Sequence, residues 1–430
     1  MDYIAYSYGE LKSTTPNIRQ LNYKGRSYKV EFQAFSHPEN LGKTPVVFLG
    51  GAFQTFSSFR NEAELVLSTH PIILADFPSQ GSNDQLAPEL GLNDFAHLIE
   101  QFCQIEEINT MILLGISYGS ALAMLFSTNY PARVERLLLS GITCFRRQEM
   151  IVLYEDLLQL LQQQRMEEAA TTAVCNLMNH NRLTQTEVSS TYRRMLHRQI
   201  QRMNDNECAR YIQNTRRILD FPGFTAYPQC PTLISTGIYD NFTQPEENAA
   251  VAKQCAKVTF ALVENADHLA QYERKEAAGP LFHQFMCGID LPQVSGIQLL
   301  DPHTYAHSKW QLEDEYHPLE QPYTLHDDAT GQKHRVRINK INFNGCELEL
   351  SQADFSLTED NHSLYLALPE TGYRYHLRIL SKNKKTLRGL FIQREFKAVE
   401  PLLQFLTQNI LVSNNSSQAH AALDSSKGWQ

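Results

Sequence analysis

Long apolar runs are missing from this sequence. No stretch of the 430 residues approaches the ~18 uninterrupted apolar positions that a membrane-spanning helix needs. No secretory leader is expected from Met1-Asp2-Tyr3-Ile4-Ala5-Tyr6, which lacks a basic segment followed by an apolar one. The 8 cysteines include no CxxC pair, which removes the sequence signature of a zinc knuckle or a dithiol redox motif. Five of them sit in apolar or helical runs, as small hydrophobes do, and the simplest expectation is a reduced, cytoplasmic protein. Excess positive charge is absent as well. A net charge of −9 argues against a general nucleic-acid binder, which requires a cationic face for phosphates. What the chain does have is core material, 42% hydrophobic residues, enough to exclude disorder for its bulk, and a length that favours two or three domains.

Between about residues 26 and 290 short apolar runs alternate with helical stretches. Val46–Leu49, Ile72–Ala75, Met111–Leu114, Leu137–Leu139, Thr232–Ile234 and Val258–Val263 lack period-2 alternation, as expected of parallel strands covered on both faces. Phe95–Ile105 and Ala121–Ser127 read as intervening helices, so the expected architecture is a parallel α/β sheet with right-handed crossovers. Residues 145–222 break the rhythm: they read as helices only, including Glu149–Gln164 and Glu187–Met203. An insertion of this kind is expected to cap the carboxyl edge of the sheet, where ligands of α/β proteins bind. Its apolar positions Ile151, Leu153, Leu157, Leu158, Leu160 and Leu161 suit either core packing or a pocket wall.

The sharpest motif is Gly115-Ile116-Ser117-Tyr118-Gly119. At about 7% usage per fixed residue a bare GxSxG is a weak signal. Its place here, after the Met111–Leu114 strand and before a helix, is the strand–elbow–helix setting that exposes a nucleophilic serine. A serine needs a base, and the base needs a carboxylate to orient it, in the chain order Ser, acid, His. Asp240 follows one strand and His268 follows the next, both at the edge where Ser117 is displayed. Asp267 adjoins His268 but would point away from its neighbour's ring, so Asp240 is preferred. The expected catalytic set is therefore Ser117, Asp240 and His268. Backbone donors for an oxyanion are expected at Tyr118, the residue after the nucleophile, and at Ala52 or Phe53 in the Gly50-Gly51 loop.

These segments resemble a known family. Val46–Phe59, Leu74–Ser82, the serine elbow, Thr236–Thr243 and Asp267–Glu273 are similar to the α/β-hydrolase-fold enzymes that make rhamnolipid precursors. These are the 3-(3-hydroxyalkanoyloxy)alkanoic acid synthases, and the resemblance covers roughly residues 40–285. It implies acyl transfer between two 3-hydroxyacyl thioesters through an acyl-Ser117 intermediate, with no cofactor or metal and with acyl carrier protein or acyl-CoA as donor. The family tends to have Ala and Trp near the serine where this chain has Gly115 and Tyr118, which leaves transfer open against hydrolysis by a carboxylesterase or thioesterase. Arg193, Arg194, Arg198 and Arg202, with Arg210, Arg216 and Arg217 beyond them, suit an acidic carrier or a CoA phosphate. They equally suit a solvated helix face paired with Asp205, Glu207 and Asp220.

Beyond a turn-rich linker at 288–300 the pattern changes. Residues 335–350 alternate as a half-buried antiparallel strand, and Tyr373–Ile379 with Leu387–Ile392 read as a hairpin. The expectation is thus an α/β-hydrolase fold over 1–290 with a helical cap at about 145–225. A small mainly-β barrel follows over 300–412, with a helix near Pro401–Gln408, and then a polar tail at 413–430 that frays. Arg335–Leu348 resembles the PilZ-domain motif, with Gly345 kept and Lys340 and Asn342 replacing the acid or amide and the serine. Cyclic di-GMP binding in that family uses an RxxxR pair, and residues 301–334 contain none. Arg335, Arg337, Asn342 and Gly345 are the substitute candidates for a nucleotide or anion. A degenerate domain for protein contact or peripheral membrane contact is the alternative, and an adaptor responsive to cyclic di-GMP is the corresponding non-enzymatic reading.

Overall fold

The computed structural model describes residues 1–5, 14–144, 147–291, 294–305, 319–350 and 363–409. The polar tail expected at 413–430 lies outside them. Ten strands among the described residues form one sheet. They are β1 (Ile4–Ala5), β2 (Asn17–Tyr23), β3 (Arg26–Ser36), β4 (Val46–Leu49), β5 (Ile72–Asp76), β6 (Met111–Ile116), β7 (Val134–Ser140), β8 (Thr232–Gly237), β9 (Val258–Val263) and β10 (Ile297–Leu300). The order β1-β3-β5-β4-β6-β7-β8-β9-β10 places β4 and β6 at the centre, with β2 paired to β3.

From β5 across to β9 every neighbouring pair is parallel, while β3 and β10 close the two flanks antiparallel. Strands β4, β5, β6 and β8 are buried along their whole length. The apolar runs of β4, β5 and β6 follow from that, because a parallel strand covered on both faces has no solvent side to alternate toward, while β8 carries the buried hydroxyls of Thr232, Ser235 and Thr236.

Helices α1 (Arg60–Leu67), α2 (Leu92–Ile105) and α3 (Tyr118–Asn129) fall within the crossovers. Phe48, Phe59, Ile72, Leu74, Ile112, Leu114 and Leu138 join one apolar cluster with Leu281, Phe282 and Phe285 from a later helix. The insertion contributes α4 (Gln148–Gln162), α5 (Met166–Leu177), α6 (Ser190–Gln201) and α7 (Asp205–Asp220). After it come α8 (Pro245–Ala252), α9 (Ala270–Glu273) and α10 (Lys275–Met286).

The chain divides into two compact units, and the division is not the one read from the sequence. One unit comprises Met1–Phe145, Thr184–Arg193 and Arg202–His307. The other comprises Arg146–Leu183, Arg194–Gln201 and Ser308–Gln430. Helices α4 and α5, expected as part of the cap on the sheet, therefore group with the barrel. Helical periodicity marks a buried face without naming the surface that covers it.

In the second unit β11 (Leu319–Asp327), β12 (Gln332–Asn342), β13 (Gly345–Leu350), β14 (Leu364–Leu368), β15 (Tyr373–Lys382) and β16 (Thr386–Ile392) close into an antiparallel barrel. Its order is β11-β12-β13-β16-β15-β14. Leu325, Val336, Ile338, Leu348, Leu366 and Leu377 fill the interior, and the alternate positions of β12 face outward. Helix α11 (396–409) supplies Leu402, Phe405 and Leu406 to the same cluster, and Cys175 of α5 joins it. Residues 172–181 add directed contacts. Thr172 Oγ1 donates to Gln393 O at 2.8 Å, Phe343 N donates to Asn181 Oδ1 at 3.0 Å, and the His180 ring stacks on Phe343.

Candidate active site

The carboxyl ends of β6, β8 and β9 bring three side chains together, all within the α/β unit. Ser117 lies between β6 and α3 with φ +50°, a backbone conformation that a non-glycine residue holds only where its surroundings impose it. Those surroundings are tight: a Cβ on Gly119 would overlap Leu49 O, and one on Gly115 would crowd Gly119 O and Ala123 Cβ. The two motif glycines thus let α3 lie directly against the end of β4 and against β6. Ser117 N donates to Ser140 O at 2.9 Å, which ties the elbow to the neighbouring strand β7.

His268 Nε2 is 3.1 Å from Ser117 Oγ, and His268 Nδ1 is 3.1 Å from Asp240 Oδ2. Asp240 is 1% exposed and His268 5%, so the relay is screened from water on the acid's side. Burial works against ionisation of Asp240. The His268 charge and hydrogen bonds from His268, Thr236 and Thr243 outweigh it and hold the carboxyl below its ordinary value.

The supporting donors are well defined. Thr236 Oγ1 and Thr243 Oγ1 each donate to Asp240 Oδ2 at 2.7 Å, and Phe242 N and Thr243 N donate to Oδ1 at 2.9 and 2.8 Å. Thr243 Oγ1 is also 3.2 Å from His268 Nδ1, and the Phe242 ring meets the imidazole edge-on. Sequence reasoning did not single out Thr236 or Thr243. Their positions four before and three after Asp240 were the available signal.

Asp267 is fully buried and turned to a different task. Its Oδ1 accepts from His268 N at 2.8 Å, and its own N–H donates to Glu273 Oε2 at 2.9 Å. It fixes the turn that carries His268, while Asp240 reaches the ring. Glu273 is pushed up to about 7, chiefly by burial, with the nearby Asp240 charge adding to the effect.

Tyr118 heads α3, where the backbone N–H groups and the helix dipole favour developing negative charge. Its buried ring sends the phenol to Asn214 Oδ1 at 3.2 Å, and Asn214 Nδ2 donates to Ser79 O at 2.8 Å. Gly51 presents its Cβ direction 3.3 Å from Ser117 Cβ, so the 50–54 loop borders the nucleophile. Gly51 N–H is committed to Gln54 Oε1 at 2.7 Å, and the loop's remaining candidates for the second donor are Ala52, which is exposed, and Phe53. Phe53 stacks on Tyr211 of α7 with centroids 4.7 Å apart. A nucleophile, a base oriented by a carboxylate, and helix-terminal amides beside it can form and discharge an acyl-enzyme.

The arginines named from the sequence separate. Arg194, Arg198 and Arg202 are exposed and Arg193 is half-buried. Arg193 and Arg202 belong to the α/β unit, Arg194 and Arg198 to the other. Arg217, read as one of the same basic group, is instead a buried internal strut. Its guanidinium donates to Leu90 O and Leu86 O at 2.8 Å and to Asn214 Oδ1 at 3.0 Å.

In the barrel, Arg335 and Arg337 are exposed on β12, Arg337 opposite Glu349 of β13 in the strand register. Asn342 is buried, and its Oδ1 accepts from Asn344 N and Gly345 N, so the amide closes the β12–β13 turn. Among the described residues no group of three or more His, Cys, Asp or Glu is placed to hold a metal ion, and no helix is long and apolar enough to cross a membrane.

Residues 44–275 match the alpha/beta hydrolase fold family, and the chain belongs to that family. Over 130 residues it is 25% identical to ethanol acetyltransferase 1 of Cyberlindnera jadinii, a match covering 29% of this chain and 38% of that one. The fold is similar to an α/β hydrolase enzyme from a Medee basin deep-sea metagenome library, with TM-score 0.54 and 14% identity over 64% of this chain and 100% of that one. It is also similar to an esterase from Exiguobacterium antarcticum, with TM-score 0.51 and 18% identity over 61% of this chain and 96% of that one.

Proposed function

We propose that this protein is a serine-dependent acyltransferase that joins 3-hydroxyacyl groups from carrier thioesters into a hydroxyalkanoyloxyalkanoate. The observation that carries the reading is the hydrogen-bonded relay from Ser117 through His268 to Asp240. Ser117 Oγ attacks the thioester carbonyl carbon while His268 Nε2 takes its proton, and the backbone amide of Tyr118 with that of Ala52 or Phe53 stabilises the oxyanion. The C–S bond then breaks and His268 returns the proton to the departing thiolate. The hydroxyl of a second 3-hydroxyacyl thioester attacks the acyl-enzyme, giving its proton to His268, and the ester dimer leaves on its carrier as Ser117 recovers that proton. Water then cleaves the remaining C–S bond, releasing the carrier thiol and the free hydroxyalkanoyloxyalkanoate.

The donor and acceptor are assigned from the resemblance of residues 40–285 to the precursor synthases. Partial similarity to a protein named for acetyl transfer with ethanol is in keeping with a hydroxyl acceptor. No cofactor enters any step. Acyl carrier protein or acyl-CoA in the cytoplasm is the proposed donor, and exposed Arg202 of the α/β unit suits its anionic groups.

Product analysis tests the reading. With 3-hydroxyacyl thioester as sole substrate, mass spectrometry is expected to find the ester dimer. Free 3-hydroxy acid alone would reassign the chain to thioester hydrolysis. Asp240→Asn should lower kcat by about 10⁴ while leaving the fold intact, because an amide beside Nδ1 favours the wrong imidazole tautomer. Steady-state kinetics with circular dichroism checks this, and a loss under tenfold would remove Asp240 from the relay.

A further inference from the structure

The loop beside the nucleophile and the turn that carries the base are joined by a pair of side chains 218 residues apart in sequence. Gln54 Oε1 accepts the Gly51 N–H at 2.7 Å, and Gln54 Nε2 donates to Tyr272 Oη at 2.6 Å. Tyr272 Oη in turn donates to Ser58 O at 3.3 Å, further along the same loop segment. The direction of every bond is fixed. A backbone N–H can only donate, the glutamine amide has one acceptor end and one donor end, and the phenol accepts from one side while giving its single proton to the other. Burial, with Glu62 and Tyr192 nearby, raises the phenol's pKa, so Tyr272 keeps the proton that it gives to Ser58.

Each end of this chain of bonds touches the site. Gly51 lies against Ser117 Cβ and immediately precedes the candidate oxyanion donors Ala52 and Phe53. Tyr272 lies on α9 four residues after His268, and the intervening turn is fixed by Asp267 N to Glu273 Oε2 and by His268 N to Asp267 Oδ1. Glutamine suits position 54 because one planar amide satisfies the Gly51 N–H and the phenol together. A glutamate would offer the phenol no proton, and an alanine would free the Gly51 amide to turn.

Resting on the acyl-enzyme reading above, we infer that Gln54 and Tyr272 are positioning residues that hold the oxyanion loop in register with the His268 turn. Neither touches the reacting atoms. The transition state gains from amides aimed where the oxyanion forms, and the ground-state ester gains little, so loss of the pair should appear in kcat rather than KM.

The test uses the full-length protein with a p-nitrophenyl acyl ester, a trifluoromethyl ketone as transition-state analogue, and the variants Tyr272→Phe, Gln54→Ala, Gln54→Glu and the Tyr272→Phe/Gln54→Ala double. Each single variant is expected to lower kcat about ten- to a hundredfold with KM within about twofold, the scale of effect that misplacement of a remote support produces. The inhibition constant of the ketone should rise in parallel with the loss in kcat/KM. Because one chain of bonds is cut in every case, the double variant should be no slower than the slower single.

Unchanged kcat in Tyr272→Phe, an effect confined to KM, or multiplicative losses in the double variant would each overturn the inference. Ser117→Ala assayed alongside separates the two claims. Full turnover in that variant defeats the acyl-enzyme reading itself, whereas an inactive Ser117→Ala with wild-type Tyr272→Phe defeats only the positioning role.

Discussion

Ser117→Ala should lower kcat by about 10⁶ with ester or thioester substrates, leaving only the background supplied by binding and by the backbone amides. The size follows from the geometry. His268 Nε2 is hydrogen-bonded to Ser117 Oγ, and with that oxygen removed the imidazole has no proton to move and the carbonyl no nucleophile. His268→Ala should cost about as much, and the double variant little more, because the two residues act as one unit. The substitution is also a clean one. Ser117 holds φ +50° at the tightly packed elbow between β6 and α3, and alanine meets the same backbone demand as serine. Thermal unfolding of Ser117→Ala should therefore stay close to wild type, and a residual rate above about one-hundredth of wild type would contradict the assignment.

The second large effect belongs to the other compact unit. Asp156 of α4 is fully buried, with Arg378 Nη1 of β15 paired to its Oδ1 and Arg394 Nη2 3.0 Å from Oδ2. His376 Nδ1 stands 3.7 Å away, itself 1% exposed. Two guanidiniums are desolvated beside one carboxylate, so Asp156→Ala leaves buried positive charge without its counter-ion. Breaking a buried pair from one side costs about 3–5 kcal/mol, far more than the pair's net worth against an apolar replacement. For a unit of this size that amounts to a fall of about 10 °C in its melting transition, readable by scanning calorimetry. A shift under about 2 °C would show that the guanidiniums do not depend on Asp156. The same cluster places Arg378 inside the protein.

The parts of the site legible in the sequence are those that sit next to a strand end. Ser117, Asp240 and His268 each follow an apolar run by a residue or a few, and a parallel sheet brings such positions to one edge whatever the loops do. The place of the Gly50-Gly51 loop beside the nucleophile is legible for a related reason, since it follows β4, the strand beside β6. The contacts that remained hidden are long-range and side-chain specific. Nothing in the pattern around Gln54 points to Tyr272, and a threonine near an acid gives no indication of which oxygen its hydroxyl meets. The insertion was misplaced for a comparable reason. Residues 146–183 interrupt the α/β rhythm in sequence, yet Cys175, Thr172, Asn181 and Asp156 all find their partners in or next to the barrel strands. Amphipathic helices declare that one face is covered, and the covering surface here lies about 200 residues further along the chain.

The claim on which the rest depends is that Ser117 carries the acyl group. Acid-quenching the full-length protein during turnover of a p-nitrophenyl acyl ester, followed by peptide mass mapping, measures this directly. An acyl mass increment is expected on the peptide containing Ser117, formed with the release of p-nitrophenol and absent from Ser117→Ala. An acyl group found on any other residue, or sustained turnover by Ser117→Ala, would contradict it.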